Sequence, residues 1–305
     1  MSQRPVLGFL LALTAAAMWG ALPVIAQQIL SVMNAQTLVW YRLFVAGIGL
    51  LLILGFAKKW PKRTACNARM LWLIVLGVIG LSANFFLFSY GLNFISPTTS
   101  QVLWQLAPFT MLLCGVLIFK EKFGTHQKIG LGLLVIGLIA FFNERFSEIL
   151  QFGTYAFGIA VGAGAAIVWV LYAIAQKLML EKFTSQQILL IIYLGCSLLI
   201  GPFADVGQIG QLNSTFLIGC FIFCCLNTLI GYGAYAEALN NWDASKVSVV
   251  TILVPIFTML FSSIAHWIMP EKFSNPDMNL LSYIGALIVV SGTIFSAVGH
   301  KLLKK

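Results

Sequence analysis

Two glutamines and a proline stand inside an apolar stretch where such residues are expensive. Residues 98–123 read TTSQVLWQLAPFTMLLCGVLIFKEKF, long enough to cross a bilayer core of ~30 Å as a helix. Gln101, Gln105 and Pro108 follow at spacings of four and three, on one helical face, with Trp104 alongside. Amides and a helix-breaking proline in hydrocarbon are tolerated only where they face protein or a wet cavity. The chemistry this implies is recognition: carboxamides to hold a polar head and an indole to pack an apolar or planar body. The pattern returns in residues 245–273, SKVSVVTILVPIFTMLFSSIAHWIMPEKF, where FTML and EKF recur and Pro255 stands in the place of Pro108. A pair of interrupted, polar-striped helices is therefore expected to organise the chain.

Ionisable groups inside apolar stretches are few, which makes each informative. Arg42 falls about two turns into an apolar run, beside Trp40 and Tyr41. It is either an anion contact or gating group, or an interfacial arginine that snorkels outward. Glu237 lies one short loop from Asp243 and Lys246. It is a candidate proton carrier or, the reading preferred here, the ion-pair partner of Lys246. The six cysteines show no CxxC and no metal spacing, and no two of the three histidines share a span. No HExxH, GxSxG or GxxxxGK[ST] occurs, so neither catalysis, metal or cofactor binding nor ATP hydrolysis is expected.

The elements that must position these residues follow from composition. Of 305 residues 60% are hydrophobic and 9% charged, and mean hydropathy is +0.96. Soluble domains carry about 25% charged residues, so the chain is expected to be an all-α polytopic membrane protein. Ten apolar spans are delimited: Val6–Leu30, Gln36–Phe56, Met70–Gly91, Thr98–Phe119, Lys128–Phe142, Thr154–Gln176, Ser185–Phe203, Phe216–Ala238, Ser245–Met269 and Asn279–Gly299. The first follows Arg4 like a signal peptide but continues past any such core, and is read as an uncleaved span. Of the 18 Lys and Arg, fifteen fall in loops on the side of the N-terminus, two (Arg145 and Lys272) on the other side, and Arg42 within a span. This asymmetry places both termini in the cytoplasm. The net charge of +9 then serves as topology anchors at an anionic leaflet, not as a nucleic-acid surface.

Internal repetition sets the domain plan. Leu92-Asn93 and Leu239-Asn240 lie 147 residues apart, as do Pro108 and Pro255, while Ile25-Ala26-Gln27 recurs as Ile174-Ala175-Gln176 behind Trp19 and Trp169. Two repeats, 1–146 and 147–305, each of five spans, follow. An odd number per repeat makes the second enter from the opposite side. Ten helices in two inverted five-helix repeats with interrupted members are the mark of secondary transporters.

Residues 16–27 (AAMWGALPVIAQ), 41–52 (YRLFVAGIGLLL) and 120–137 (KEKFGTHQKIGLGLLVIG) resemble the drug/metabolite transporter superfamily, in its EamA branch. The second copy is looser, since PEKF is followed by the insertion SNPDMN before YIGALIVVSG. The resemblance covers nearly the whole chain and implies a secondary carrier of small metabolites, often an exporter of amino acids or related compounds. It also implies a central cavity lined by the first, third and fourth spans of each half. The matching polar faces here are Trp19, Pro23 and Gln27; Gly77, Gly80, Asn84, Phe88 and Gly91; Ala165, Trp169, Tyr172 and Gln176; Asn227, Gly231 and Ala234; and Ser248, Thr251 and Pro255. The substrate expected in that chamber is zwitterionic or neutral, because only Arg42 offers a strong anion contact and no buried carboxylate pair awaits a polyvalent cation. A drug or toxic-compound carrier of the same fold, a channel, and a membrane-embedded enzyme are the alternatives. The lipid bilayer, the substrate, and a proton or exchanged metabolite are the expected partners. The glycine stripes of the fifth and tenth spans (Gly130 and Gly137; Gly285 and Gly292) are assigned to scaffold or to homodimer contacts.

Overall fold

The computed structural model describes residues 4–61, 67–118, 120, 123–275 and 278–299, and every regular element in them is helical. The helices are α1 (Pro5–Ile29), α2 (Ala35–Phe56), α3 (Ala68–Gly91), α4 (Pro97–Trp104), α5 (Leu106–Ile118), α6 (Thr125–Phe141), α7 (Phe146–Leu150), α8 (Thr154–Met179), α9 (Ser185–Ile200), α10 (Thr215–Asn241), α11 (Ala244–Ile252), α12 (Val254–Ile268) and α13 (Leu280–Val298). Taking α4–α5 and α11–α12 as one traversal each, nine spans among the described residues are long and apolar enough to cross a membrane. Helix α6 is the shorter tenth, 17 residues rising roughly 26 Å. Short polar residues start the helices by capping otherwise orphaned N–H groups. Asn34 accepts from the Thr37 amide, Asn67 from Met70, Ser96 from Thr99, Ser214 from Leu217 and Asn279 from Ser282. The five-residue α7 carries no apolar period of its own and was not anticipated from the sequence. Several lysines of the charge asymmetry, among them Lys62, Lys122 and Lys301, lie outside the described residues.

Both expected interruptions are present. The helix yields at Gln105 and again at Leu253, where the amides turn back three residues, to Val102 O (3.1 Å) and Val250 O (3.2 Å). Pro108 and Pro255 follow within the first turn of the next helix. Each proline lacks the N–H that would bond the carbonyl four residues back, so continuation through the break has no hydrogen bond to gain.

Packing runs between the halves more than within them. Helix α1 packs chiefly on α10, α3 on α8, α2 on α9 and α6 on α13, while α12 lies along α1 and α4–α5 along α8. The inversion is visible in the ends. The Gln27 side chain near the end of α1 donates to Leu92 O (3.1 Å) at the end of α3. Gly158, near the start of α8, packs on Phe94 and Ile95 at that same end. Thus α1 and α8 run in opposite directions. The glycine stripes of α6 and α13 meet each other: a Cβ on Gly137 would come 2.8 Å from Gly285 O, and one on Gly130 would come 2.7 Å from Gly292 O. At one end Asn143 bonds Asn279 and Ser282, and Ser282 bonds Phe141 O. These stripes are consumed as scaffold inside the chain. Large apolar side chains such as Trp72, Leu198 and Trp267 face outward, as a lipid-facing surface requires.

Candidate functional site

Two recesses open at opposite ends of the interrupted helix. One of 290 Å³ is lined by Gln27, Asn93, Ser96, Thr98, Ser262 and Asn275, among others, at the end of the molecule where α1 stops. The other, of 370 Å³, is lined by Pro108, Met111, His126, Gln127, Lys177 and Ser296, among others, at the end where α6 starts and α13 stops. Thr98 faces the first and Pro108 the second. Ten residues of helix, ~15 Å along the axis, separate them, and Gln101, Trp104 and Gln105 lie in that interval.

The amides of this interval are occupied. Gln101 is buried and donates through Nε2 to Trp19 O (3.2 Å). Its Oε1 is buried without a partner. Gln105 is 2% exposed and donates to Ile252 O (3.2 Å), 147 residues away. That separation equals the one between Pro108 and Pro255, so the side chain at one break holds the backbone at the other. Asn84 repeats the theme on Ala165 O (2.9 Å) and Asn227 on Met18 O (2.6 Å), tying each third span to the first span of the other half. Thr258 donates to Gly20 O (2.9 Å). These groups form a cross-linked septum between the recesses. The sequence suggested a stripe of amides waiting for a ligand; in this conformation four of them hold backbone carbonyls of other helices.

Aromatic rings complete the septum in two groups. Trp104 meets Trp169 edge to face, with centroids 5.6 Å apart, and contacts Phe88 at 6.2 Å; Trp169 reaches Tyr172 at 6.3 Å. Trp19 packs on Tyr232 at 5.2 Å and Tyr235 at 5.4 Å, and Tyr232 neighbours Tyr193 at 6.2 Å and Phe85 at 6.5 Å. Gly231 makes room for the Trp19 indole, since a Cβ there would sit 2.8 Å from Nε1. Such arrangements offer flat apolar surface and edge polarity together. Tyr193, Tyr232 and Tyr235 were not among the residues selected from sequence. Their only signals are a tyrosine within the apolar run of α9 and a pair spaced by three on α10, which nothing distinguishes from packing.

The other selected residues divide. Pro23 is a buried interior proline of α1, Pro255 is buried at the second break, and Tyr172 is 1% exposed. Gln176, Ser248 and Thr251 are half-buried, with the Thr251 hydroxyl turned back to Ser248 O (3.0 Å). Arg42 does not snorkel. It is 3% exposed, donates from Nε to Thr228 Oγ1 (3.3 Å) and lies 4.8 Å from the Phe85 ring centre. The expected Glu237–Lys246 pair does not form. Lys246 pairs with Asp243 at 2.9 Å, three residues back on the same turn. Glu237 is exposed and accepts from Asn240 (3.1 Å) and Asn241 (3.0 Å). Local partners one turn away win because reaching them costs little chain entropy. Among the described residues no group of three His, Cys, Asp or Glu is placed to hold a metal ion.

Comparison with known proteins agrees with this architecture. Residues 6–143 and 156–298 each match the EamA-like transporter family. An uncharacterized transporter of Haemophilus influenzae is 56% identical over 270 residues, 88% of either chain. The uncharacterized inner membrane transporter YhbE of Escherichia coli K12 is 45% identical over 266 residues, 87% of this chain and 83% of that one. A further Escherichia coli K12 protein, named a probable amino-acid metabolite efflux pump, is 22% identical over 195 residues, 58% of this chain and 63% of that one. A solved crystal structure superposes with a TM-score of 0.63 at 16% identity, covering 99% of this chain and all of that chain, a likeness of fold. With both halves matching and the fold shared, this chain belongs to the EamA-like transporter family of the drug/metabolite transporter superfamily.

Proposed function

We propose that this transporter is a secondary carrier that works by alternating access and exports amino acids or related zwitterionic compounds from the cytoplasm. One observation carries the mechanism: two inversion-related helix breaks grip each other, Gln105 to Ile252 O, between recesses that open at opposite ends. Because the halves are inverted copies, a rearrangement that opens one recess through the septum has a counterpart that opens the other. Each septal bond is individually weak, ~0.6 kcal/mol on average in membrane bundles. A substrate bound between the recesses can therefore compensate their exchange.

The substrate class draws support from the rings of Trp19, Trp104 and Trp169 and the unpaired Oε1 of Gln101 beside them, which suit a small molecule with one polar head. The remote relative named an amino-acid metabolite efflux pump points the same way. In this reading both termini lie in the cytoplasm, which the distribution of Lys and Arg supports, and the membrane is the bacterial inner membrane, which the likeness to YhbE supports. Energy comes from a proton or an exchanged metabolite. Counterflow in proteoliposomes tests the reading: preloaded unlabelled amino acid should drive transient accumulation of its labelled form. Equilibration without overshoot would mark a channel, and absence of flux across a panel of amino acids, sugars and cationic drugs would remove the carrier reading.

A further inference from the structure

We infer that Arg42, with the tyrosines around it, is a carboxylate-recognition subsite, so that a free carboxylate is the obligatory feature of the substrate. The inference rests on the carrier reading above and narrows its substrate class. Arg42 lies seven residues inside α2, and its surroundings come from three other helices: Phe85 of α3, Tyr193 of α9, and Thr228 and Tyr232 of α10. Among the described residues no carboxylate pairs with it. A guanidinium carries five N–H donors, and one, at Nε, has a protein acceptor, Thr228 Oγ1.

The neighbours deepen the imbalance. The hydroxyls of Tyr172 and Tyr193 and the indole N–H of Trp19 are all buried and all without a hydrogen-bond partner. Tyr193 adjoins Arg42, Tyr172 and Tyr232, and Tyr232 packs on Trp19. Among the described residues this interior gathers a fixed cation and several unused donors with no anion beside them, and the unpaired acceptors nearby, Gln101 Oε1 and Asn227 Oδ1, are neutral amides that cannot balance the charge. Leaving polar groups unpaired costs ~1–3 kcal/mol each, more when charged, and a lone buried cation is the costliest case. What is missing is an acceptor with negative charge and at least two oxygens, which the planar fork of arginine fits in bidentate fashion. The face of Phe85 already holds one side of the guanidinium, leaving its edge for the ligand. Trp19 joins this cluster to the septum through Gln101, so a carboxylate docked on Arg42 places the rest of the molecule toward the space between the recesses.

The test uses matched compounds on the purified full-length protein in detergent. Tryptophan fluorescence is titrated with L-leucine, 4-methylpentanoate, L-leucinamide and 3-methylbutylamine, and with the four phenylalanine counterparts. Those bearing a free carboxylate should bind at least about tenfold more tightly than the amide and amine, the worth of charge-assisted hydrogen bonds. Arg42→Gln should erase that preference, Arg42→Lys should retain part of it, and Tyr193→Phe, which keeps the packing, should weaken the acids a few-fold. Equal binding of acids and amides, acid binding unchanged in Arg42→Gln, or no binding by any member of the set overturns the subsite. Counterflow of the same compounds separates the two readings. If amides or amines are carried, the carrier stands and the carboxylate requirement falls. If acids bind at Arg42 but none is carried, the subsite stands and the carrier reading falls.

Discussion

Replacing Gly285 by alanine should prise apart the α6–α13 scaffold. The added Cβ would fall against the Phe141 amide nitrogen, 2.7 Å from Gly137 O and 2.8 Å from Ala140 C. These are backbone atoms, which cannot rotate away. Restoring ordinary contact requires the helices to retreat by on the order of 0.5–1 Å, forfeiting a quarter to a half of the dispersion well between facing atoms. Overpacking of this kind costs ~1–3 kcal/mol, offset by up to ~1 kcal/mol from the better helix propensity of alanine. A net loss of ~1–2 kcal/mol corresponds to a fall of about 2–8 °C in the apparent Tm. Fluorescence-detected size exclusion after a heating series reads that shift directly. Gly132→Ala is the control on the same helix pair, since a Cβ there meets nothing within 4 Å, and it should leave Tm unchanged or raise it. If Gly285→Ala matches Gly132→Ala, the close approach of these two helices is not what holds them.

Gln105→Ala should lower stability by ~0.6–1.7 kcal/mol and leave the apparent Km nearly unchanged, because the side chain holds Ile252 O; a several-fold rise in Km at unchanged Tm would make Gln105 a substrate contact. Glu237→Gln should leave gradient-driven transport intact, since the carboxylate is exposed and held by Asn240 and Asn241; loss of driven transport with exchange spared would make it the proton carrier after all. Single cysteines at Lys59 and Asn275, in a cysteine-free background, should react with a membrane-impermeant maleimide from opposite sides, and reaction from the same side contradicts ten inverted spans.

The fold was legible because its signals are local. Apolar run length and the prolines at positions 108 and 255 delimit helices within a few residues of where they lie. The repeat spacing supplied the inversion. The site was less legible because its decisive contacts are distant. Gln105 was visible as a buried amide, but its partner is a backbone carbonyl, and every residue has one, so no sequence pattern singles out Ile252. Arg42 defeated periodicity for a related reason. Helix α2 is apolar all round, with Phe44 and Leu52 exposed and Leu43 and Leu50 buried, so its composition does not say which face looks inward. The Glu237–Lys246 expectation failed because Asp243, three residues from Lys246 on the same turn, is the nearer acid.

The interlocking of the two halves has a consequence for how the chain is made. Helix α1 ends at Ile29, and its main neighbour, α10, begins only at Thr215. At a synthesis rate of ~5–20 residues per second, the early spans wait about ten to forty seconds for that neighbour. During the wait Met18 O has no Asn227 to bond it and Arg42 has no Thr228, so the guanidinium stands in the bilayer with the Phe85 ring beside it but without its hydrogen-bond acceptor. A chain stalled before α10 displays a charge that the finished protein hides. Completion of α10 is therefore the step that gives this charge its acceptor and closes the bundle around it.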